Sequence, residues 1–281
     1  TGFGRLLPRA SDALRTGACV IGIVLSLTAL VQGHRPPNVE RIDIRLPGLP
    51  ASLDGTVIAA LSDLHLGPLL GSGWLEARVD QVRALNPDLV VLIGDIFDEP
   101  GHSQDGFTDL LRQISAPLGK WAVPGNHEYY RGIGPELFQA AGFTVLVNRW
   151  VQLSPGLVLA GVEDLTIHHR RRSAGDPTIT KDPVGQALEG RPPGTSILLS
   201  HTPWEIETAA AGGVDLMLSG HTHGGQIWPF GYLVKKRYPF LEGVYQSGRM
   251  TVVTGRGAGT WGPRMRLWSP GQILHVTLRR S

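Results

Sequence analysis

The segment LSGHTHGGQ (218–226) sets two histidines one residue apart, directly after the apolar run VDLML (214–218). On an extended segment, side chains at i and i+2 point the same way, which suits a metal centre. The pair does not stand alone. TVIAALSDLH (56–65) ends in Asp63 and His65, DLVVLIGD (88–95) in Asp95, KWAVPGNHE (120–128) in Asn126 and His127, and SILLSH (196–201) in His201. Five of the ten histidines fall at these ends, too concentrated for five unrelated surface or core residues. His34, His102, His168, His169 and His275 have no such placement and read as structural or exposed.

Carboxylate, amide oxygen and imidazole, with no thiolate, favour Mn, Fe or Zn over copper or iron–sulfur. Asp63, His65, Asp95, Asn126, His201, His221 and His223 are too many for one tetrahedral ion. Two divalent ions about 3.5–4 Å apart, sharing one carboxylate, would use them all and leave positions for water and substrate. Such a pair acidifies a bridging water and clamps the oxygens of a phosphoryl or acyl centre, which implies hydrolysis.

The elements that must position these groups are legible in outline. The five runs are continuously apolar rather than alternating, as expected of strands covered on both faces, and an open α/β sheet gathers its ligands beyond the strands' carboxyl ends. GWLEARVDQVRALN (73–86) carries Leu75, Val79, Val82 and Leu85 on one helical face. DGFTDLLRQI (105–114) and TPWEIETAAAG (202–212) are shorter helical patterns, the latter with Thr202 as N-cap and Gly212 as C-cap. Segments 144–153 and 157–162 predict a hairpin around Ser154-Pro155-Gly156, and RMTVVTG (249–255) and QILHVTL (272–278) two more strands. Residues 36–51 read as a connector with one alternating edge strand (Val39, Ile42, Ile44, Leu46), before a globular body over 52–281. HHRRRSAGDPTITK (168–181) reads as a polar surface loop, its arginines an alternative contact for an anionic head group. Together these predict a layered α/β domain with two packed sheets.

SDLH (62–65), GDIFD (94–98), GNHE (125–128), SH (200–201) and GHTH (220–223) resemble, in order and spacing, the five signature blocks of the calcineurin-like metallophosphoesterases. The resemblance covers roughly residues 52 to 280, and no block lacks its ligand type. It implies a four-layer α/β/β/α sandwich of two mixed sheets flanked by helices, preceded by an N-terminal transmembrane helix. It implies that Asp63, His65, Asp95 and His223 hold one metal ion and Asp95, Asn126, His201 and His221 the other, with Asp95 as the bridge. By the same resemblance His127 would act as general acid or stabilise the phosphoryl oxygens, and Asp98 would orient His127 or another histidine. A solvated loop carboxylate is the plain alternative for Asp98. GHTHGGQIWPF (220–230) and GRGAGTWGPRMRLWSP (255–270) look like the bacterial membrane-associated branch of the superfamily. There Arg266, or alternatively Arg264, would neutralise a phosphate oxygen, a surface salt bridge being the competing role. Gly224 and Gly225 would let backbone approach the site without a side chain blocking substrate.

The implied reaction is hydrolysis of a phosphoester, more specifically a lipid-linked or envelope phosphodiester, through a metal-bridging hydroxide. A phosphomonoesterase, a nucleotide-diphospho-lipid pyrophosphatase and a non-catalytic scaffold of the same fold are the alternatives. IWPFGYLVKKRYPF (227–240) and WGPRMRLW (261–268) interleave aromatic and basic residues, a pattern that suits a lipid surface as well as an ordinary packed loop.

Composition sets the frame. The 281 residues are 42% hydrophobic and 18% charged, enough for a large core, and the net charge of +2 gives no basic field for nucleic acid. The single Cys19 excludes an internal disulfide framework and a cysteine-based zinc cluster. TGACVIGIVLSLTALVQG (16–33) is uncharged for 18 residues, long enough for a hydrocarbon core of roughly 30 Å and lacking a polar face. A cleaved signal peptide is its competitor, disfavoured by the length and by the poor cleavage site in TALVQG (28–33). Arg5, Arg9 and Arg15 precede it, while Arg35, Arg41 and Arg45 follow among Glu40 and Asp43, so the balance leans toward a body outside the cytoplasm. The chain opens on Thr1 rather than methionine, which fits the removal of upstream residues, further membrane helices among them.

Overall fold

The computed structural model describes residues 6–99, 105–179 and 182–281; Arg5, His102 and Lys181 lie outside the described residues, as does the side chain of Arg9. Twelve strands among these residues form two mixed six-stranded sheets. The first runs β1 (Asn38–Leu46), β12 (Gln272–Arg280), β2 (Val57–Leu61), β3 (Leu89–Ile93), β4 (Lys120–Val123), β5 (Thr144–Val145). The second runs β10 (Gly243–Ser247), β11 (Met250–Thr254), β9 (Leu216–Ser219), β8 (Thr195–Leu199), β7 (Leu157–Gly161), β6 (Arg149–Ser154). β2, β3 and β4 are parallel neighbours, as are β7, β8 and β9, so in each sheet these strands deliver their carboxyl ends to one edge.

The pleat explains why these strands read as unbroken apolar runs. Ile58 and Ala60 of β2 point into the core between the sheets, with Val91 and Ile93 of β3 and Leu216 and Leu218 of β9. Ala59 and Leu61 point the other way, into a second core against Leu75, Val79 and Val82 of α2 (Ser72–Arg83) and Phe107 and Leu111 of α3 (Asp105–Arg112). The outer face of the second sheet is covered by α6 (Leu165–Ser173), α7 (Pro183–Leu188) and α8 (Ile206–Ala211) through Leu165, Val184, Ala187, Ile206 and Ala209. A fully buried Leu or Ile contributes about 1.5–3 kcal/mol, and both faces of each central strand receive it. The result is the expected α/β/β/α sandwich with three apolar layers.

The remaining α-helices among the described residues are α1 (Leu6–His34) and three short ones, α4 (Asn126–Arg131), α5 (Pro135–Ala140) and α9 (Gly231–Arg237). The stretch Ser11–His34 of α1 is long and apolar enough to cross a membrane and is mostly exposed. β1 lies at the edge of the first sheet, parallel to β12, with Ile44 and Leu46 in the core between the sheets.

Two local expectations fail. Thr202 does not cap a helix: α8 starts at Ile206, and the buried Thr202 hydroxyl donates instead to Asp164 at 2.7 Å. Residues from 168 do not begin a loop, because α6 continues to Ser173, capped by Asp164, whose carboxylate accepts from the N–H groups of Thr166 and Ile167. His168 is buried on that helix against Glu163.

Candidate metal centre

Beyond the strand ends the backbone turns sharply. Asp63, His65, Asp95, His221 and His223 all have positive φ (54°, 47°, 54°, 70° and 51°). Each such residue costs about 1–3 kcal/mol and persists only where its surroundings hold it. Here the loops hold one another: Asp63 N–H donates to the Gly94 carbonyl, His65 N–H to the Asp95 carbonyl, and His221 N–H to both Asp63 carboxylate oxygens at 3.2 Å.

These turns bring six of the seven expected ligands into two clusters. Asp63, His65 and His223 form one, with His65 Nε2 3.3 Å from His223 Nε2, and His223 Nε2 3.4 Å from Asp63 Oδ1. Asp95, His201 and His221 form the other, with His201 Nε2 3.2 Å from Asp95 Oδ2 and 3.3 Å from His221 Nδ1. Asp95 lies between them, its Oδ2 4.0 Å from His65 Nε2. Asn126 opens α4 beside Asp95, and the next residue, His127, donates its N–H to Asp95 Oδ1 at 2.8 Å.

The donor set fits a pair of divalent cations. His201 Nδ1 bonds the Ile93 carbonyl at 2.7 Å and must donate, which strips the proton from Nε2 in the neutral ring. Asp98 Oδ1 does the same for His65 through Nδ1 at 2.9 Å. The bare Nε2 atoms then face other ligand atoms rather than donors. The Asn126 side-chain oxygen is buried without a hydrogen-bond partner, as a ligand oxygen held ready for a cation would be.

Asp98 Oδ1 also accepts from His127 Nδ1 at 2.9 Å, so one carboxylate orients two imidazoles. Glu128 is a residue that motif reading passed over. Its buried carboxylate accepts N–H bonds from Gly125, Asp95, Ile96 and Phe97, tying the loop after β3 to the start of α4. The signal lies in GNHE, where a glutamate three residues after the helix N-cap accepts the cap's own N–H, the glutamate half of a capping box. Tyr238 was likewise unassigned; its hydroxyl is 2.9 Å from His221 Nε2, and its ring stacks on Trp204.

Burial opposes charge on all of these groups, and their neighbours decide which side wins. For His65 the carboxylates of Asp98, Asp95 and Asp63 outweigh burial and raise its pKa; for His201, Asp95 does so strongly. His223 is driven well below the usual imidazole value by burial, then by His65 and Arg266, and His221 is lowered by burial and His201. Asp95 is held far below the carboxylate range despite burial, first by His201; Asp98 is held down by His127 and His65. Burial together with the Asp95 charge pushes Glu128 up to about 7, against its backbone bonds.

Arg266 is not where a phosphate-neutralising residue would stand. It is 2% exposed, and its guanidinium donates to the carbonyls of His223, Arg256, Gly257, Gly259 and Ser269. The cation is spent gathering three backbone segments behind His223, and apart from these carbonyls its Nη2 comes within 3.5 Å of His223 Nδ1. Arg264 does not line the cavity either. Gly225 lines the cavity, and it has a second role: at φ +76° a Cβ there would lie 2.3 Å from the Gly231 Cα, so it admits the start of α9.

A cavity of about 560 Å³ opens over the clusters. Asp95, Asn126, His127, His221 and His223 line it together with Tyr130, Ile227, Phe230, Val234, Trp261 and Pro263. Phe230 and Trp261 of this lining are exposed; Trp228, Tyr232 and Trp268 are exposed too and line a separate recess with Lys235, while Lys235, Lys236 and Arg237 form the last turn of α9.

A family model described as calcineurin-like phosphoesterase matches residues 56–225, the stretch that carries all seven candidate ligands. A transmembrane protein with metallophosphoesterase domain from Danio rerio is 33% identical over 301 residues, 99% of this chain and 68% of that protein. An uncharacterized metallophosphoesterase of Helicobacter pylori is 35% identical over 252 residues, covering 88% of this chain and 65% of its own length. One from Aquifex aeolicus is 34% identical over 257 residues, covering 86% and 92%. The chain thus spans about two thirds of the Danio rerio and Helicobacter pylori relatives and nearly all of the Aquifex aeolicus one. Among solved structures, a dimetal phosphatase from Danio rerio aligns over 76% of this chain and 91% of that chain, with a TM-score of 0.48 and 15% identity. The family match over more than half of the residues, with relatives a third identical along most of the chain, means that this protein belongs to the calcineurin-like phosphoesterases.

Proposed function

We propose that the chain is a dinuclear metal-dependent phosphodiesterase, held at a membrane by α1, acting on a lipid-linked phosphoester. The observation that carries this reading is the apposition of both ligand clusters and His127 to a cavity wall made of Ile227, Phe230, Val234, Trp261 and Pro263. Asp63, His65, Asp95 and His223 would hold one divalent ion, and Asp95, Asn126, His201 and His221 the other. When bound, such ions supply charge against the phosphoryl oxygens and a lowered pKa for water. Asp98 holds His127 through Nδ1, which aims Nε2 away from that carboxylate; in its imidazolium form the ring would carry on Nε2 the proton that the leaving oxygen takes.

The wall argues for an apolar substituent next to the phosphorus. Its described lining has no lysine or arginine to pair a second phosphate, which favours a simple ester over a nucleotide-diphospho-lipid. The exposed Trp228, Tyr232 and Trp268, sharing a recess with Lys235, suit head-group depth, in line with the bacterial membrane-associated branch that GHTHGGQIWPF resembles. Contacts of Ala29 and Gln32 with the body support an anchor (1–35) that stays with the connector (36–51) and catalytic domain (52–281) rather than a cleaved leader. The arginines at 5, 9 and 15 support a body on the extracytoplasmic side.

The test is turnover by the full chain in detergent with added Mn, before and after chelation. Bis-p-nitrophenyl phosphate would be compared with a long-chain phosphodiester in mixed micelles. Metal-dependent hydrolysis with preference for the long-chain ester is expected. Equal rates would remove the lipid-linked reading, and silence in every metal would leave a non-catalytic scaffold.

A further inference from the structure

The last turns of α1 are seated on the same backbone segment that carries Arg266. Ala29, 1% exposed, accepts the Arg266 N–H on its carbonyl at 2.9 Å, and Gln32 accepts the Trp268 N–H on its side-chain oxygen at 2.8 Å. Gly33 permits the approach: a Cβ there would lie 2.4 Å from the Arg264 carbonyl oxygen and 2.8 Å from the Met265 Cα, both unyielding backbone. From this segment the Arg266 side chain runs inward, with Nη1 bonded to the carbonyls of His223 and Ser269 and Nη2 to those of Arg256, Gly257 and Gly259. The Ser269 hydroxyl adds a second donor to the His223 carbonyl at 3.0 Å. His223 is a non-glycine residue at φ +51°, a conformation that needs such external restraint.

We propose that α1 is a structural part of the metal centre as well as a tether: its docked turns hold Arg266, and Arg266, as a positioning residue, holds His223 in place for its ion. The inference rests on the dinuclear reading above. The coupling is one-sided. Arg266 reaches the cluster of Asp63, His65 and His223, whereas His201 is held by the Ile93 carbonyl and His221 by Tyr238, partners that Arg266 does not bond. Undocking α1 therefore weakens the ion at Asp63, His65 and His223 more than the ion at His201 and His221.

The experiment uses the full chain in detergent, with Mn stoichiometry measured by elemental analysis and the two binding steps by competition with a chromophoric chelator. Gly33→Leu keeps the helix apolar but blocks its seat; one of the two ions is expected to bind about 10–100-fold more weakly, the range for loss of a ligand's supporting contacts. Gln32→Ala, which removes one hydrogen bond, should shift the same step in the same direction by about fivefold, and supplies the readout if Gly33→Leu loses its thermal transition. Ile23→Ala, on the exposed side of α1, should leave both steps unchanged. Arg266→Lys should weaken that same step, and adding Gly33→Leu to it should have little further effect. Two ions bound with wild-type affinity in both Gly33→Leu and Gln32→Ala would overturn the proposal, as would equal weakening of both steps. A wild-type chain holding fewer than two ions would overturn the dinuclear reading and this inference with it.

Discussion

Replacing Asp98 by asparagine separates two jobs that one carboxylate performs. Asp98 Oδ1 accepts from Nδ1 of His65 and from Nδ1 of His127, each at 2.9 Å. The amide keeps the size and an acceptor but loses the charge. A hydrogen bond to a charged group contributes about 1.5–3 kcal/mol and a neutral one about 0.5–1.5, so the change costs about 1 kcal/mol per bond. The side chain is 25% exposed, which argues for the lower end. At about 1 kcal/mol each, Mn affinity through His65 falls about fivefold and turnover at saturating Mn falls about fivefold through His127. At limiting Mn the two losses multiply to about 25-fold. Turnover of bis-p-nitrophenyl phosphate across an Mn titration reads both, and excess Mn should recover the first loss only. In a His127→Ala background the affinity loss should persist while the loss of saturated turnover disappears. An equal fall in turnover with and without His127 would refute the claim that Asp98 acts through it.

Asp95→Asn should abolish binding of both ions as well as activity, because one side chain reaches both clusters; elemental analysis showing two ions per chain would count against that bridge. His127→Ala should keep both ions and slow turnover by about 10²–10⁴-fold, and loss of metal instead would make His127 a ligand. Glu128→Gln tests a pH dependence in the chelated protein. Folding raises Glu128 from 4.5 to about 7, so the native state binds its proton more tightly; that stabilisation is fully present below about pH 4.5 and lost as pH rises to about 7. On the order of 3 kcal/mol is involved across the window, and thermal midpoints of the variant should be flatter there. Parallel curves for the two proteins would refute the assignment.

Much of this molecule is written locally. A strand covered on both faces must be apolar at every position, so β2, β3, β8 and β9 announce themselves as runs, and polar ligands can begin only where the faces end. That is why the strand ends, the two packed sheets and the ligand types are legible residue by residue; the apolar stretch of α1 is legible for another reason, its 18 uncharged residues. The bond from the Gly125 N–H to Glu128 is equally local, a glutamate three residues after the helix cap, though it stands among metal-binding residue types that draw the reading elsewhere.

What tertiary structure alone decided depends on partners far apart along the chain. His65 and His223, 158 residues apart, meet at 3.3 Å only because two sheets pack face to face. Thr202 looked like a helix cap until Asp164, from another loop, claimed its hydroxyl. Arg266 has the chemistry of a phosphate ligand, but its direction is set by five carbonyls that no nearby sequence names. The seating of α1 on that same arginine's backbone, through Ala29, links residues 237 positions apart. Periodicity and residue type report what a side chain is and which face it occupies; which groups saturate it is a property of the packed loops, where charge and hydrogen-bond capacity are satisfied across the fold.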